Sequence, residues 1–215
     1  MKKTRESLNR PGTARYPKGK ERVEKILDAA KNVLIKEGYG GLTMRNVALG
    51  AGTTVGNLQY YYADKDRLLR DMLEYMVTGF FEDFALILQD PKRMAEEKLV
   101  AYIDCIFDAF SVEDKGKFYP EFWAWSNHDP VAAKLMEEMY ETGFSYLHGI
   151  IRQINPKLTA REVKDMTITI VGSIEGLVVF LGYRRPWAKS LKSVRDYTVS
   201  SCLHLVKTNG GRAKR

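Results

Sequence analysis

The stretch Leu42–Leu69, LTMRNVALGAGTTVGNLQYYYADKDRLL, constrains this chain more than any other part of it. Thr43 suits a helix N-cap, and Val47, Ala48 and Ala51 are small or apolar positions for close packing. Gly52 breaks that helix, and Thr54 can cap a second one whose inward residues are Leu58 and Tyr62. Asp64-Lys65-Asp66 then opens a third. Two short helices joined by a tight Ala-Gly turn form the helix-turn-helix pattern, a geometry that presents the second helix to a DNA major groove.

Charge follows the same boundary. The chain holds 34 Lys+Arg against 27 Asp+Glu, a formal net charge of +7. Residues 1–70 carry 15 basic and 7 acidic side chains, so the remaining 145 residues are close to neutral. A basic excess confined to the segment with the helix-turn-helix predicts an anionic partner for that segment alone.

The pattern resembles the DNA-binding domain of the tetracycline-repressor (TetR) family of bacterial regulators. The resemblance begins at ILDAAKNVLIKEGYGGLT, Ile26 to Thr43, and runs through the Asp64-Lys65-Asp66 step, about the first third of the chain. It implies an all-α protein, with an N-terminal three-helix helix-turn-helix domain and a C-terminal helical domain for ligand binding and dimerisation. Apolar spacing agrees with this along the whole chain. The expected division is a disordered basic arm at 1–19, a DNA-binding domain at 20–65, a helical effector-binding and dimerisation domain at 66–207, and a basic tail at 208–215. A helix Lys65–Leu88, about 36 Å long at 1.5 Å per residue, connects the domains. Val112–Lys117 reads as a charged loop before a short helix at Phe118–Trp125. Asp129-Pro130 opens a helix to Ile154, and Thr159 with Glu162 forms a capping box for a helix to about Leu181. With a last helix from about Leu191 to Val206, the expected total is nine.

On the second helix of the motif, Val55, Gly56, Asn57, Gln59, Tyr60 and Tyr61 face the groove, with Thr54 at its start. The amides of Asn57 and Gln59 can pair bidentately with adenine, Val55 can touch a thymine methyl, and Gly56 permits close backbone approach. Tyr60 and Tyr61 can donate to phosphate oxygens. The resemblance adds Thr43, Arg45 and Lys65 as phosphate contacts, with Arg45 also within reach of a base edge. Tyr62 stands where the family usually has Phe and is a core position. Gln59 stands where the family commonly has Tyr, so no operator sequence transfers.

Outside the head no catalytic constellation appears. His128, His148 and His204 are isolated, no Glu-x-x-His occurs, and there is neither a phosphate-cradling glycine loop nor a nucleophile elbow. The chain is therefore expected not to be an enzyme and to need no metal or cofactor. Cys105 and Cys202 form no CxxC unit and read as reduced packing cysteines. Polar Met1–Lys20 lacks the apolar core of a signal peptide, and the apolar run Ile168–Leu181 is too short to span a bilayer. A cytoplasmic, non-membrane location is expected.

The aromatic density of the body, from Phe107 to Trp125, suits either a core or a pocket between helices. Tyr102, Phe107, Trp123 and Trp125 are the candidate effector-binding aromatics, with Glu175, the lone acid of an apolar run, as a polar anchor. The resemblance implies a homodimer on double-stranded DNA that responds to a small-molecule effector, with repression favoured over activation, and the aromatic faces with Glu175 point to an apolar or cationic effector. The competing reading is an architectural DNA-binding protein without an effector.

Overall fold

The computed structural model describes residues 9, 13, 14, 16–88 and 90–208, with the side chains of 79, 80, 82, 83, 87 and 88 outside the description. The basic residues Lys2, Lys3, Arg5, Arg10 and Arg15, and the tail beyond 208, lie outside it too. Among the described residues there are ten α-helices, one 3-10 turn and no strand. The helices are α1 (Pro17–Gly41), α2 (Met44–Gly50), α3 (Val55–Tyr61), α4 (Lys65–Leu88), α5 (Ala95–Ser111), α6 (Glu113–Ser126), α7 (Pro130–Ile154), α8 (Ala160–Gly176), α9 (Val178–Leu181) and α10 (Leu191–Lys207).

Local chemistry accounts for most of these boundaries. Pro17 stands at the first position of α1, three residues ahead of the expected start, where its missing N–H costs nothing. Thr43 and Thr54 cap α2 and α3 by accepting from the amides of Asn46 and Asn57, each at 3.2 Å. Asp129 accepts from Val131 N at 2.8 Å and Ala132 N at 3.0 Å at the start of α7. Thr159 and Glu162 form the reciprocal capping box of α8.

Two expected boundaries are corrected. The segment expected as the charged loop Val112–Lys117 is mostly helical, because α6 begins at Glu113. Glu113 and Asp114 fall in its first turn, where acids favour the helix N-terminus. The expected helix Thr159–Leu181 is interrupted after Gly176, leaving α9 as a separate turn closed at Gly182. Glycine is a poor helix interior residue, and this break makes ten helices among the described residues where nine were expected.

The chain divides into two compact units. The first takes the described residues up to Phe80 together with Lys117–Met139, and the second takes Phe81–Gly116 and Tyr140 onward. In the first unit, Ile26, Leu27, Ala30 and Leu34 on α1 close over Val47 of α2, Leu58 of α3 and Tyr62, all essentially without solvent exposure. Each such large apolar side chain contributes about 1.5–3 kcal/mol relative to exposure. In the second unit, α5 packs against α8, α9 and α10. Arg195 of α10 donates through Nε to Asp104 of α5 at 2.7 Å, and buried Asn155 donates to the Val206 carbonyl at 2.9 Å.

Candidate DNA interface and body site

The turn between α2 and α3 is fixed by a pair of backbone bonds, Thr53 N to Ala48 O at 2.9 Å and Gly52 N to Leu49 O at 3.1 Å. This is the Schellman arrangement, and it requires the residue at Gly52 to adopt positive φ, here 59°. Gly50 packs beside α1, where a Cβ would stand 3.5 Å from that of Ala29, in ordinary van der Waals contact. The backbone thus aims α3 before any side chain is considered.

With Leu58 and Tyr62 turned inward, the rest of α3 faces solvent. Thr43, Arg45, Thr54, Val55, Gly56, Asn57, Gln59 and Tyr60 are all exposed, and Tyr61 and Lys65 are half-buried. A Cβ added at Gly56 would meet nothing within 4 Å, consistent with an open approach to the helix there. The Asn57 carbonyl oxygen accepts from the Thr53 hydroxyl at 3.0 Å, which orients the amide and leaves its N–H donors outward. Tyr60 and Tyr61 meet edge to face at 5.2 Å. The core assignment of Tyr62 stands: it is fully buried, and its hydroxyl donates to buried Asp71.

Beside α3 the structure adds residues that the motif alone did not suggest. Lys18, Arg22 and Lys25 of α1 line an open cleft of about 750 Å³ with Asn57, Tyr60 and Tyr61. Their spacing of four and three residues was a legible signal, because it places all three on one helical face. Two basic side chains of the cleft have local partners, Arg22 reaching the Ala51 carbonyl at 3.5 Å and Lys25 pairing with Glu21 at 2.7 Å.

A second junction of the first unit centres on Tyr39. Its ring stacks on Trp125 of α6 at 4.9 Å with 21° between planes, and the Lys65 ammonium sits 4.5 Å from its centroid. Its hydroxyl donates to Asp129 at 3.3 Å. Burial and the Asp129 charge raise the Tyr39 pKa. Burial would raise the Asp129 carboxyl in turn, but the Ala132 and Val131 amides and the Tyr39 hydroxyl help outweigh it and the net shift is downward. Gly38, with φ of 66°, makes the preceding bend, and a Cβ there would approach Glu121 of α6 to 3.3 Å.

Of the candidate effector residues, Trp123 and Trp125 belong to the first unit, Trp125 only 2% exposed and Trp123 half-buried. Tyr102, Phe107 and Glu175 belong to the second, where Phe107 is a core residue. Glu175 and Tyr102 are brought together. Both Glu175 oxygens lie 3.0 Å from the Tyr140 hydroxyl, which donates to the carboxylate. Burial pushes the Glu175 carboxyl up to about 7 against the opposing pull of Tyr140. The Tyr102 phenol is likewise driven upward, by burial first and then by the Glu175 charge. Its ring meets Phe84 at 4.8 Å. Tyr140 and Phe84 were missed in the sequence because nothing local marks that Tyr140 will meet an acid 35 residues away or that Phe84 will meet Tyr102. Among the described residues no group of His, Cys, Asp and Glu is arranged to hold a metal, and no helix is long and apolar enough to cross a membrane.

Comparison with known proteins places this geometry. Residues 26–72 match the family model for bacterial regulatory proteins of the tetR family. The chain is 24% identical over 159 residues to the HTH-type transcriptional regulator BetI of Escherichia coli O17:K52:H18 (strain UMN026 / ExPEC), covering 73% of this chain and 80% of that protein. Its fold is similar to that of a transcriptional regulator from Pseudomonas aeruginosa PAO1, at TM-score 0.72 and 17% identity over 94% of this chain and 96% of that one. A transcriptional regulator from Saccharomonospora viridis in complex with choline is similar at TM-score 0.67 and 17% identity, over 88% and 97%. The all-α architecture with its N-terminal helix-turn-helix agrees with the expectation from sequence. Regulators of this kind are DNA-binding factors and not enzymes. Helix geometry, the match across the head and the relatives converge: residues 26–72 match the tetR-family model, and the chain is similar to HTH-type transcriptional regulators of that kind.

Proposed function

We propose that this regulator is a homodimeric repressor that holds a palindromic operator and leaves it when a small apolar or cationic molecule binds in its body. The observation that carries the reading is the exposed outer face of α3, with Asn57, Gln59 and Tyr60 turned to solvent above a buried Leu58. Asn57, Gln59 and Val55 read base edges in this account, while Thr43, Arg45, Thr54, Tyr60, Tyr61 and Lys65 hold phosphates and the backbone at Gly56 lies against the groove. The DNA-reading portion is 20–65 and the effector and dimerisation portion 66–207.

Dimerisation is supported by apolar side chains exposed along α8 to α10. Ile168, Val179, Phe180 and Tyr197 are 49%, 60%, 50% and 76% exposed in the single chain. Pairing α8 and α10 with the same helices of a second copy makes an isologous four-helix contact that covers such a surface. A small organic ligand in the body is supported by the choline bound to the S. viridis regulator of the same fold. Release follows if the ligand binds more tightly to the arrangement of α4 that separates the two heads unsuitably for DNA, since only differential affinity shifts such an equilibrium. A cytoplasmic location goes with the function.

Selection of bound genomic fragments followed by footprinting tests the reading. A two-fold symmetric footprint with half-sites about one helical turn apart, or a multiple of it, is expected. An asymmetric footprint bound by a monomer refutes it.

A further inference from the structure

The Asn57 amide has two ends, an oxygen that accepts and a nitrogen that donates twice, and the fold engages the first of them. We propose that Thr53 is a specificity-determining residue, positioning the Asn57 amide so that it reads a guanine in each operator half-site rather than an adenine. The inference rests on the operator reading above and narrows it to one base.

Thr53 stands just ahead of the Thr54 cap, and the turn sets its place, since its N–H donates to the Ala48 carbonyl at 2.9 Å. It is half-buried, and a β-branched side chain on a fixed backbone has few χ1 choices. Its hydroxyl oxygen lies 3.0 Å from Asn57 Oδ1, and because a carbonyl oxygen has no proton the hydroxyl is the donor. The Asn57 backbone N–H is held as well, by the Thr54 hydroxyl at 3.2 Å. Backbone and side chain of Asn57 are thus both tied to the turn, while the residue itself is exposed. What remains for the groove is Nδ2 with its two N–H groups.

The four bases answer such a donor differently. Guanine presents two acceptors in the major groove, N7 and O6, and asks nothing of Oδ1. Adenine presents N7 beside its N6 amino donor, so a bidentate pair needs the same oxygen that Thr53 already occupies. The hydroxyl is then displaced or the oxygen shared, and either weakens the pair. Cytosine offers a donor, which leaves the amide N–H groups facing no acceptor, and thymine offers one acceptor beside a methyl group. The residue type alone suggests adenine, and the Thr53 bond reverses that order. Gln59 supplies an internal contrast. Among the described residues its amide has no bond of this kind, so both of its ends stay open and adenine still suits it.

The test is selection of bound duplexes from a randomised pool by the full-length protein, followed by competition between single-base variants of the selected site. The base read by Asn57 is the one at which Asn57→Ala loses preference. It should be guanine, favoured over adenine by at least about fivefold, the net worth of one hydrogen bond. Thr53→Val keeps the shape without the hydroxyl and should erase that margin, while preference at the base assigned by Gln59→Ala stays as in the wild type. Thr53→Ser, which returns the hydroxyl, should restore it. Any base other than guanine at the Asn57-dependent position overturns the inference, and that result needs no Thr53 variant to fold. Equal losses at the Asn57 and Gln59 bases in Thr53→Val overturn it too, because they mark a merely structural role for Thr53. If Asn57→Ala loses preference at no base, the inference fails and the operator reading survives. If the wild type enriches no sequence at all, the operator reading itself fails.

Discussion

Replacing Glu175 by Gln should change how the stability of this protein depends on pH. The folded chain holds the Glu175 carboxyl at about 7 against an ordinary 4.5, because burial penalises the charged form more than the Tyr140 hydroxyl favours it. Below 4.5 the group is neutral in both folded and unfolded states and costs nothing. Between 4.5 and about 7 the unfolded chain gives up its proton while the folded chain keeps it, so stability falls as pH rises. Above about 7 both states are ionised and the full penalty is present. The gap between the two values corresponds to about 3 kcal/mol, since each pKa step is worth about 1.4 kcal/mol. Gln keeps the size of the side chain and can still accept from Tyr140, but it does not titrate. Urea unfolding of both proteins at one fixed protein concentration, from pH 4.5 to 8.5, isolates the effect in the difference curve. Glu175→Gln should gain on the wild type by up to about 3 kcal/mol across that range, with most of the change complete by pH 7.5. A flat difference curve, or one that declines with pH, would show that the carboxyl is not held neutral by burial.

Three further outcomes are expected. Asn57→Ala and Gln59→Ala should each relax preference at particular operator bases, at about 1–3 kcal/mol where the contact is bidentate, as read by competition against single-base operator variants. Arg22→Ala and Lys25→Ala should weaken operator and random DNA alike and lower the slope of log affinity against log salt by about one each, measured by anisotropy in a salt series. Trp125→Ala should destabilise the protein by about 3–5 kcal/mol in thermal or urea unfolding, because it removes the ring stacked on Tyr39 at 4.9 Å.

The parts of this molecule legible in its sequence are those that short-range chemistry decides. Thr43, Thr54, Asp129 and Thr159 cap helices through amides two or three residues away, and each was readable as a cap. Gly52 was readable as a break because only a positive φ closes that turn. The exposed face of α3 followed from placing Leu58 and Tyr62 inward. Less was legible where two weak local tendencies compete. The charged run after Val112 looks like a loop until its acids are seen to sit in a helical first turn, and Gly176 looks tolerable inside an apolar helix that in fact stops there. Contacts between distant residues were not legible at all. Tyr140 finds Glu175, and Trp125 finds Tyr39, through packing that no spacing within either segment encodes.

The aromatic junction at Tyr39 also bears on how the protein is made. The DNA-reading helices belong to a compact unit whose last pieces, Lys117–Met139, come later in the chain than the whole of α4 and α5. Emerging from the ribosome, α1 to α3 can form their caps and turn at once, yet Tyr39 has neither Trp125 nor Asp129 to meet until that later stretch is synthesised. At about 5–20 residues per second, the wait from Phe80 to Met139 is about 3–12 s. Throughout it the end of α1 presents an uncovered aromatic ring beside the most basic part of the chain, a state in which nascent-chain binding factors and nucleic acid have access to a head that is still incomplete.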